Sequence, residues 1–260
     1  MQKLISVDWH ADFGFLKKPD VNEGIYLTYN VLHKPALLGM LGAVLGLSGY
    51  GNAQYMREEK ILEYRRKLQG IPVAIQPLGA ERGQFRKTMI TYTNTVGYAN
   101  DGSTLIVTEQ TLIKPAYRTW LLLDDANEIE AKLLGRLQKG EATYIPYLGK
   151  NEFPVCWKNF SEWQFEKATP QDFFRVASVF QKTEEDRLQK KERGGRRAGR
   201  TLGTFMNIEQ VPTGFQKMGK EEQYRLGKYV FTDFDLAPDE ILENLWTITH
   251  EADRHIIQTF

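Results

Sequence analysis

The sequence is poor in cysteine, since Cys156 is the single one among 260 residues. One thiol can form neither an internal disulfide nor a cysteine-based zinc site, so a reducing cytoplasm is the expected compartment. For Cys156 we expect the role of a small buried hydrophobic side chain. Long apolar runs are also missing: the longest, at 36–47, is too short to span a bilayer, and Asp8 and Asp12 stand where a signal peptide needs an apolar centre. We predict a cytoplasmic protein with no membrane partner.

Motifs of common catalytic and cofactor sites are absent from the sequence as well. The chain has no GxxxxGK[ST] phosphate loop, no GxGxxG dinucleotide turn, no HExxH zinc motif and no GxSxG nucleophile elbow. Its four histidines are scattered, and its carboxylates do not follow the spacing of a metal site. We therefore expect no metal and no cofactor.

The composition that is present indicates a folded protein of the α+β class. Apolar residues make up 42% of the chain, which is enough for a core, and a formal net charge of +1 leaves any polyanion binding to local charge. The pattern predicts a central strand at 3–9, a helix at 35–47, a strand at 71–78 and an amphipathic helix within 121–140. Strands dominate the remainder, so the C-terminal portion is predicted to be β-rich.

The first predicted helix carries a stripe of small residues, Gly39, Gly42, Ala43 and Gly46. Each glycine lowers helix stability by about 1 kcal/mol relative to alanine. We expect this cost to be offset by a sheet or another backbone that packs closely against the stripe.

Residues 84–124 have the β-branched and aromatic content of strands, but the middle of the stretch is polar. Single-stranded RNA is bound by cations that contact phosphates, aromatic rings that stack on bases, and amides or hydroxyls that contact base edges. The stretch supplies all three, and further cations lie near the first strand and first helix. A generic interaction surface is the alternative. The predicted RNA-binding residues are Lys17, Lys18, His33, Lys34, Lys87, Tyr92, Asn94, Tyr98, Lys114, Tyr117 and Arg118.

A strongly basic segment lies near 181–200 and ends in RGGRRAGR. It has almost no apolar residue, so we predict a mobile loop. Its arginines could contact a nucleic-acid backbone, or the loop could simply be solvated. The arginines concerned are Arg193, Arg196, Arg197 and Arg200.

Several stretches resemble one known family. They are LISVDWHADFGFLKKPD, YNVLHKPALLGMLGAVLGL, NTVGYAN, EQTLIKPAYRTWLLLD and YLGKNEFPV. The sequence is similar to the Cas five family, CRISPR-associated subunits of the RAMP superfamily, and most like its type I-B branch. The resemblance is dense over 1–160 and thin afterwards. It implies a ferredoxin-like (RRM-like) domain at 1–145, with a protruding β-hairpin thumb near 84–120, and a smaller β-rich part at 146–260.

The resemblance also implies a function. Such a subunit sits at the foot of a Cascade complex in antiviral defence, grips the 5′ handle of the CRISPR RNA, contacts the Cas seven backbone subunit and docks the Cas eight large subunit. Target DNA would be met through the assembled complex. We expect a non-catalytic subunit, because type I-B systems normally carry a separate Cas six processing enzyme.

A metal-independent endoribonuclease that processes precursor CRISPR RNA is the alternative, since the type I-C branch of the family has this activity. That branch relies on a Tyr, a Lys and a His, which need only act as acid and base near a ribose hydroxyl. The candidates in this chain are Tyr26, Tyr29, His33 and Lys34, and Tyr117 with Lys114.

Overall fold

The computed structural model describes residues 1–19, 24–49, 61–94, 105–181, 203–218, 221–238, 240 and 242–260. Tyr98 and the four arginines of the basic segment lie outside these residues, and of Asn94 only the backbone is described. The helices are α1 (Lys34–Leu45), α2 (Glu63–Leu68) and α3 (Glu128–Lys139). The strands are β1 (Gln2–His10), β2 (Phe13–Gly14), β3 (Ile25–Tyr26), β4 (Val73–Pro77), β5 (Lys87–Asn94), β6 (Leu105–Ile113), β7 (Ala116–Asp124), β8 (Cys156–Lys167), β9 (Phe180–Gln181), β10 (Met206–Met218), β11 (Glu221–Thr232), β12 (Leu245–His250) and β13 (Asp253–Gln258).

The main sheet is antiparallel and has six strands in the order β13-β12-β8-β1-β7-β4. β1 lies at its centre, paired with β7 on one side and β8 on the other. Its residues from Leu4 to Trp9 are all buried, as the nearly continuous apolar sequence predicts. The sheet takes strands from both sides of the predicted division at 145/146, so the two predicted parts share it.

The main sheet curls until its edges meet. Phe260, which follows β13, exchanges backbone hydrogen bonds of 3.0 and 3.2 Å with Val73 on β4, at the opposite edge. Ala74 from β4 and Ile257 from β13 also belong to one apolar cluster with Trp120 and Trp163. The face that carries this cluster is therefore the concave one, and the curl leaves little open strand edge.

The larger core lies on the other face of the main sheet, where β1 packs beneath α1 and α3. α1 begins after His33, whose Nδ1 accepts a 3.2 Å hydrogen bond from the backbone N–H of Ala36, and it ends at Gly46 with φ 77°. α3 is capped by Asn127 and buries Leu133 and Leu137, as its amphipathic pattern predicts. None of the described helices is long and apolar enough to cross a membrane.

The small-residue stripe of α1 packs against a helix and a loop. A Cβ at Gly42 would lie 2.7 Å from the Cβ of Tyr64 in α2, and one at Gly46 would meet Thr143. Gly39 has no neighbouring atom within 4 Å of such a Cβ. Of the three glycines in the stripe, two are therefore closely packed and one is open.

The predicted polar ribbon is divided between two sheets. β5 and β6 form an antiparallel hairpin, and the short strands β2 and β3 extend it into a separate four-stranded sheet. β7, the last part of the ribbon, belongs to the main sheet and is mostly buried. A third sheet, β10-β11-β9, completes the β-rich C-terminal portion.

The expectation for Cys156 was wrong, because this side chain is exposed. Cys156 is the first residue of β8, where the strand leaves the loop before it, and its Sγ lies 3.7 Å from the carbonyl oxygen of His10.

Candidate nucleic-acid interface

One face of the β5–β6 hairpin is open to solvent and carries no carboxylate among its described residues. Strand alternation and the register Thr91↔Thr108 place Lys87, Met89, Thr91, Thr93, Ile106, Thr108 and Gln110 on this face, with the buried Leu112 at its base. Ile106 is 65% exposed and Met89 is 46% exposed. The face thus offers hydroxyls, an amide, one ammonium and two aliphatic side chains to a partner.

The opposite face of the hairpin is fastened to the loop that follows α3. The Tyr92 hydroxyl donates to Glu109 Oε1 over 2.9 Å, and Lys150 Nζ donates to the two Glu109 oxygens over 2.7 and 2.5 Å. Burial alone would lower the pKa of Lys150, but its hydrogen bonds to Glu109 and Tyr92 outweigh burial and raise it. Glu109 is a buried carboxylate, so this network holds the base of the hairpin in place.

A cleft of about 1010 Å³ runs from Lys150 along the open side of α1; we call it the α1 cleft. Its floor is made of small residues of α1, including Ala36, Gly39 and Ala43. Small side chains let a ligand approach the helix backbone closely, as at other glycine-lined surfaces.

The outer wall of the α1 cleft is a loop with unusually exposed apolar side chains. Tyr144 is 62% exposed, Ile145 74% and Tyr147 48%. The loop is nevertheless held, because the backbone N–H groups of Thr143 and Tyr144 donate to carbonyl groups at the end of α1 over 3.1 and 3.0 Å. These tyrosine rings are therefore positioned on a fixed backbone and can serve as stacking platforms.

Four of the predicted lysines lie on the surface around the hairpin. Lys17 lines the α1 cleft, with its Nζ 3.9 Å from the centre of the Tyr26 ring. Lys18 and Lys87 line a smaller hollow of about 310 Å³, where Lys18 is ion-paired with Glu209 at 3.1 Å. Lys114 is exposed in the turn between β6 and β7, with φ 48°.

Tyr117 and Arg118 do not fit the predicted contact with RNA. Tyr117 is 1% exposed, and its hydroxyl donates a 2.6 Å hydrogen bond to the carbonyl oxygen of Asn30, so no base can stack on it. Arg118 forms a bidentate pair with the buried carboxylate of Asp8, at 2.7 and 2.8 Å. The sequence shows the residue types, but only the strand register shows that β7 turns these side chains toward the protein itself.

His33 and Lys34 have roles different from those predicted. His33 is 6% exposed, and burial lowers its pKa to about 3, so at neutral pH it carries no charge for a phosphate. Lys34 donates a 3.0 Å hydrogen bond to the backbone oxygen of Phe260 and lines a different pocket from the α1 cleft. Among the predicted residues whose side chains are described, the structure therefore does not bring all together in one site.

The sequence-based list missed the wall of the α1 cleft, Tyr144, Ile145, Tyr147 and Lys150. The stretch YIPYLGK alternates aromatic, aliphatic and basic residues, which was a usable signal of an exposed loop surface. Among the described residues, no group of three or more His, Cys, Asp or Glu side chains could hold a metal ion. The side chains that line the cleft offer stacking, hydrogen bonding and contact with ammonium groups.

Comparison with known proteins gives a match in fold. No protein-family model matches the chain, and no curated protein matches it. Among solved structures, a chain in a cryo-EM structure of the type III-B Cmr-beta bound to cognate target RNA and AMPPnP has a TM-score of 0.50 and 8% identity, covering 98% of this chain and 99% of that one. The likeness at this identity is one of fold.

Two further solved structures are similar. A chain of a CRISPR RNA-guided surveillance complex has a TM-score of 0.46 and 12% identity, covering 91% of each chain. A CRISPR protein from Archaeoglobus fulgidus has a TM-score of 0.45 and 13% identity, covering 99% of each chain.

Proposed function

We propose that this protein is a non-catalytic, RNA-binding subunit of a type I CRISPR surveillance complex, most like type I-B. In this role it holds the 5′ handle of the CRISPR RNA in the cytoplasm, as part of antiviral defence. One observation carries the proposal: two exposed tyrosines, Tyr144 and Tyr147, line one cleft together with Lys17 and Lys150. These are the groups with which proteins bind single-stranded RNA.

The order of elements supports the ferredoxin-like part of the proposal. The strands β8-β1-β7-β4 follow the order 4-1-3-2 of a β-α-β-β-α-β unit, with α1 between its first two strands and α3 between its last two. The β5–β6 hairpin is inserted between the second and third strands, the place where a thumb could leave the sheet. The shared fold with a Cmr-beta chain agrees with this architecture.

The proposed protein partners are the Cas seven backbone subunit and the Cas eight large subunit, with target DNA reached through the complex. The open face of the hairpin suits a protein contact because its aliphatic side chains, Met89 and Ile106, are exposed beside neutral polar groups. The α1 cleft is then left to the RNA.

Three of the six acid–base candidates are buried, which favours a non-catalytic subunit over the endoribonuclease. Tyr26 and Lys34 are half-buried, and Lys114 is exposed. Tyr29 and Tyr117 are 2% and 1% exposed, so neither can reach a ribose hydroxyl. His33 uses Nδ1 to cap α1 and stays neutral near pH 7. A general acid or base must instead lie within hydrogen-bond reach of the reacting group.

The proposal is tested by binding of a handle RNA to the protein assembled with its backbone subunit. Each stacked base contributes about 1–3 kcal/mol, so replacing Tyr144 and Tyr147 together with alanine should weaken binding at least tenfold. Phe173→Ala is the matched control, since Phe173 is an exposed aromatic residue that does not line the cleft. Equal binding by both variants would contradict the proposal.

The same reactions test the absence of catalysis. Repeat RNA incubated with the protein, with and without a chelator, should stay at full length on a denaturing gel. Products of handle length that disappear in a Lys34→Ala variant would favour the endoribonuclease.

A further inference from the structure

A second pocket lies on the other side of the α1 N-terminus, between α1, α2 and the β10–β11 hairpin. Its volume is about 360 Å³, within the range of small-ligand sites. It is lined by cationic and hydrogen-bonding side chains, among them Lys34, Arg65, Thr213 and Arg225.

One wall of this pocket is an ion pair that is already neutral. Arg65 donates to both carboxylate oxygens of Glu222 over 2.7 and 2.8 Å, and its guanidinium carbon lies 3.9 Å from the centre of the Phe215 ring. The Arg65 charge is thus balanced by Glu222 and fixed in position against an aromatic ring.

The other two cations of the pocket have no carboxylate side chain beside them among the described residues. Lys34 Nζ donates to the backbone oxygen of Phe260, and Arg225 Nε donates to Thr213 Oγ1 over 3.3 Å. Burial and, to a smaller extent, the charge of Arg225 lower the pKa of Lys34 to about 8. No Asp or Glu side chain lines the pocket among the described residues, and two cations in such a lining favour binding of an anion.

The position of Arg225 is built into the strand pair. The register between β10 and β11 shifts between Pro212 and Gly214, so Thr213 is the extra residue of a bulge and its hydroxyl accepts from Arg225. Gly214 lies opposite Arg225, where a Cβ would stand 3.3 Å from a terminal guanidinium nitrogen. The bulge and the glycine together let this side chain cross β10 toward the pocket.

The N-terminus of α1 adds to the positive potential in the pocket. Lys34 is the first residue of the helix, and the first turn carries no acidic side chain that would balance the helix dipole. The carboxylate of Glu222 is engaged with Arg65 and does not fill this role.

We propose that this pocket binds a phosphate group. A tetrahedral phosphate has enough oxygens to accept from the Lys34 ammonium and from the Arg225 fork at once, and its charge balances both cations. The phosphate could be a phosphodiester of bound nucleic acid or a free phosphate ion. The first source rests on the proposed function, and the second does not depend on it.

The test titrates inorganic phosphate against chloride at equal ionic strength into the full chain, with calorimetric detection. Lys34→Met with Arg225→Gln should lower phosphate affinity at least tenfold. Lys228→Gln is the control, because Lys228 is an exposed cation of the same strand that does not line the pocket. If the double variant does not fold, the single variant Arg225→Gln serves as the test, because replacing an exposed side chain should leave the fold intact.

A second arm separates the two sources. Affinity for a single-stranded RNA is measured against salt, and each lost phosphate contact should reduce the slope of log affinity by about 0.7. A reduced slope assigns the pocket to a phosphodiester, whereas an unchanged slope with lost phosphate binding assigns it to free phosphate. Variants that match the Lys228→Gln control in both arms would overturn the inference, while RNA binding in the α1 cleft could still hold.

Discussion

Asp8 is a carboxylate buried in the main sheet, where it accepts hydrogen bonds from Arg118 on β7 and from Asn159 Nδ2 on β8, the latter at 2.9 Å. Burial alone would raise the pKa of Asp8, but these donors outweigh it and lower the pKa below 3.8. A residue that looked available for RNA, Arg118, is therefore part of an internal pair. Its sequence context could not reveal this, because the pair depends on the register Asp8↔Arg118.

Replacing Asp8 with Asn should destabilise the protein by about 2–3 kcal/mol at pH 7, because it leaves the Arg118 charge unpaired. A carboxyl group whose pKa is lowered by folding stabilises the folded protein fully at pH values above its pKa in the unfolded chain. This contribution is lost as the pH falls through its pKa in the folded protein. The difference between Asp8→Asn and wild type in urea unfolding should therefore shrink below about pH 4. Asp172→Asn, at an exposed carboxylate, is the control. A similar loss in both variants would contradict this account of Asp8.

Among the elements, those with strong local patterns could be predicted from sequence. The strand expected at 3–9 is β1, because a nearly continuous apolar run marks it, and the helix expected at 35–47 is α1, because Pro35 marks its first turn. The ribbon at 84–124 was harder, since its three strands look alike in composition. Only tertiary pairing separates the β5–β6 hairpin from β7, which pairs with β1 and β4.

The close packing of α1 against α2 makes a testable difference between two glycines of one helix. Gly42→Ala should destabilise by about 1–3 kcal/mol, because its Cβ would overlap Tyr64. Gly39→Ala meets open space and should stabilise by up to about 1 kcal/mol through helix propensity. Thermal unfolding of the two variants measures this contrast. Equal shifts of the same sign would mean that α2 does not pack on Gly42 as described.

At the scale of the whole molecule, C-terminal segments of the chain form hydrogen bonds with segments of the N-terminal half. The Glu209 carboxylate on β10 accepts from the backbone N–H of Asn30, which lies 179 positions away, and Phe260 pairs with Val73. Pairings over such distances follow from packing and carry no local sequence signal. The same limit applies to the α1 cleft, because its floor and wall come from separate segments of the chain and the sequence alone does not show that they meet.

The path of RNA across the assembled complex is the most direct measurement of the proposed function. CRISPR RNA with photoreactive 4-thiouridine in its 5′ handle would be crosslinked within the complex, and the attached peptides mapped by mass spectrometry. RNA binding in the α1 cleft predicts crosslinks to the loop at 143–150 and to Lys17, which line it. Handle crosslinks confined to β12 and β13, or to other subunits alone, would contradict the function proposed for this protein.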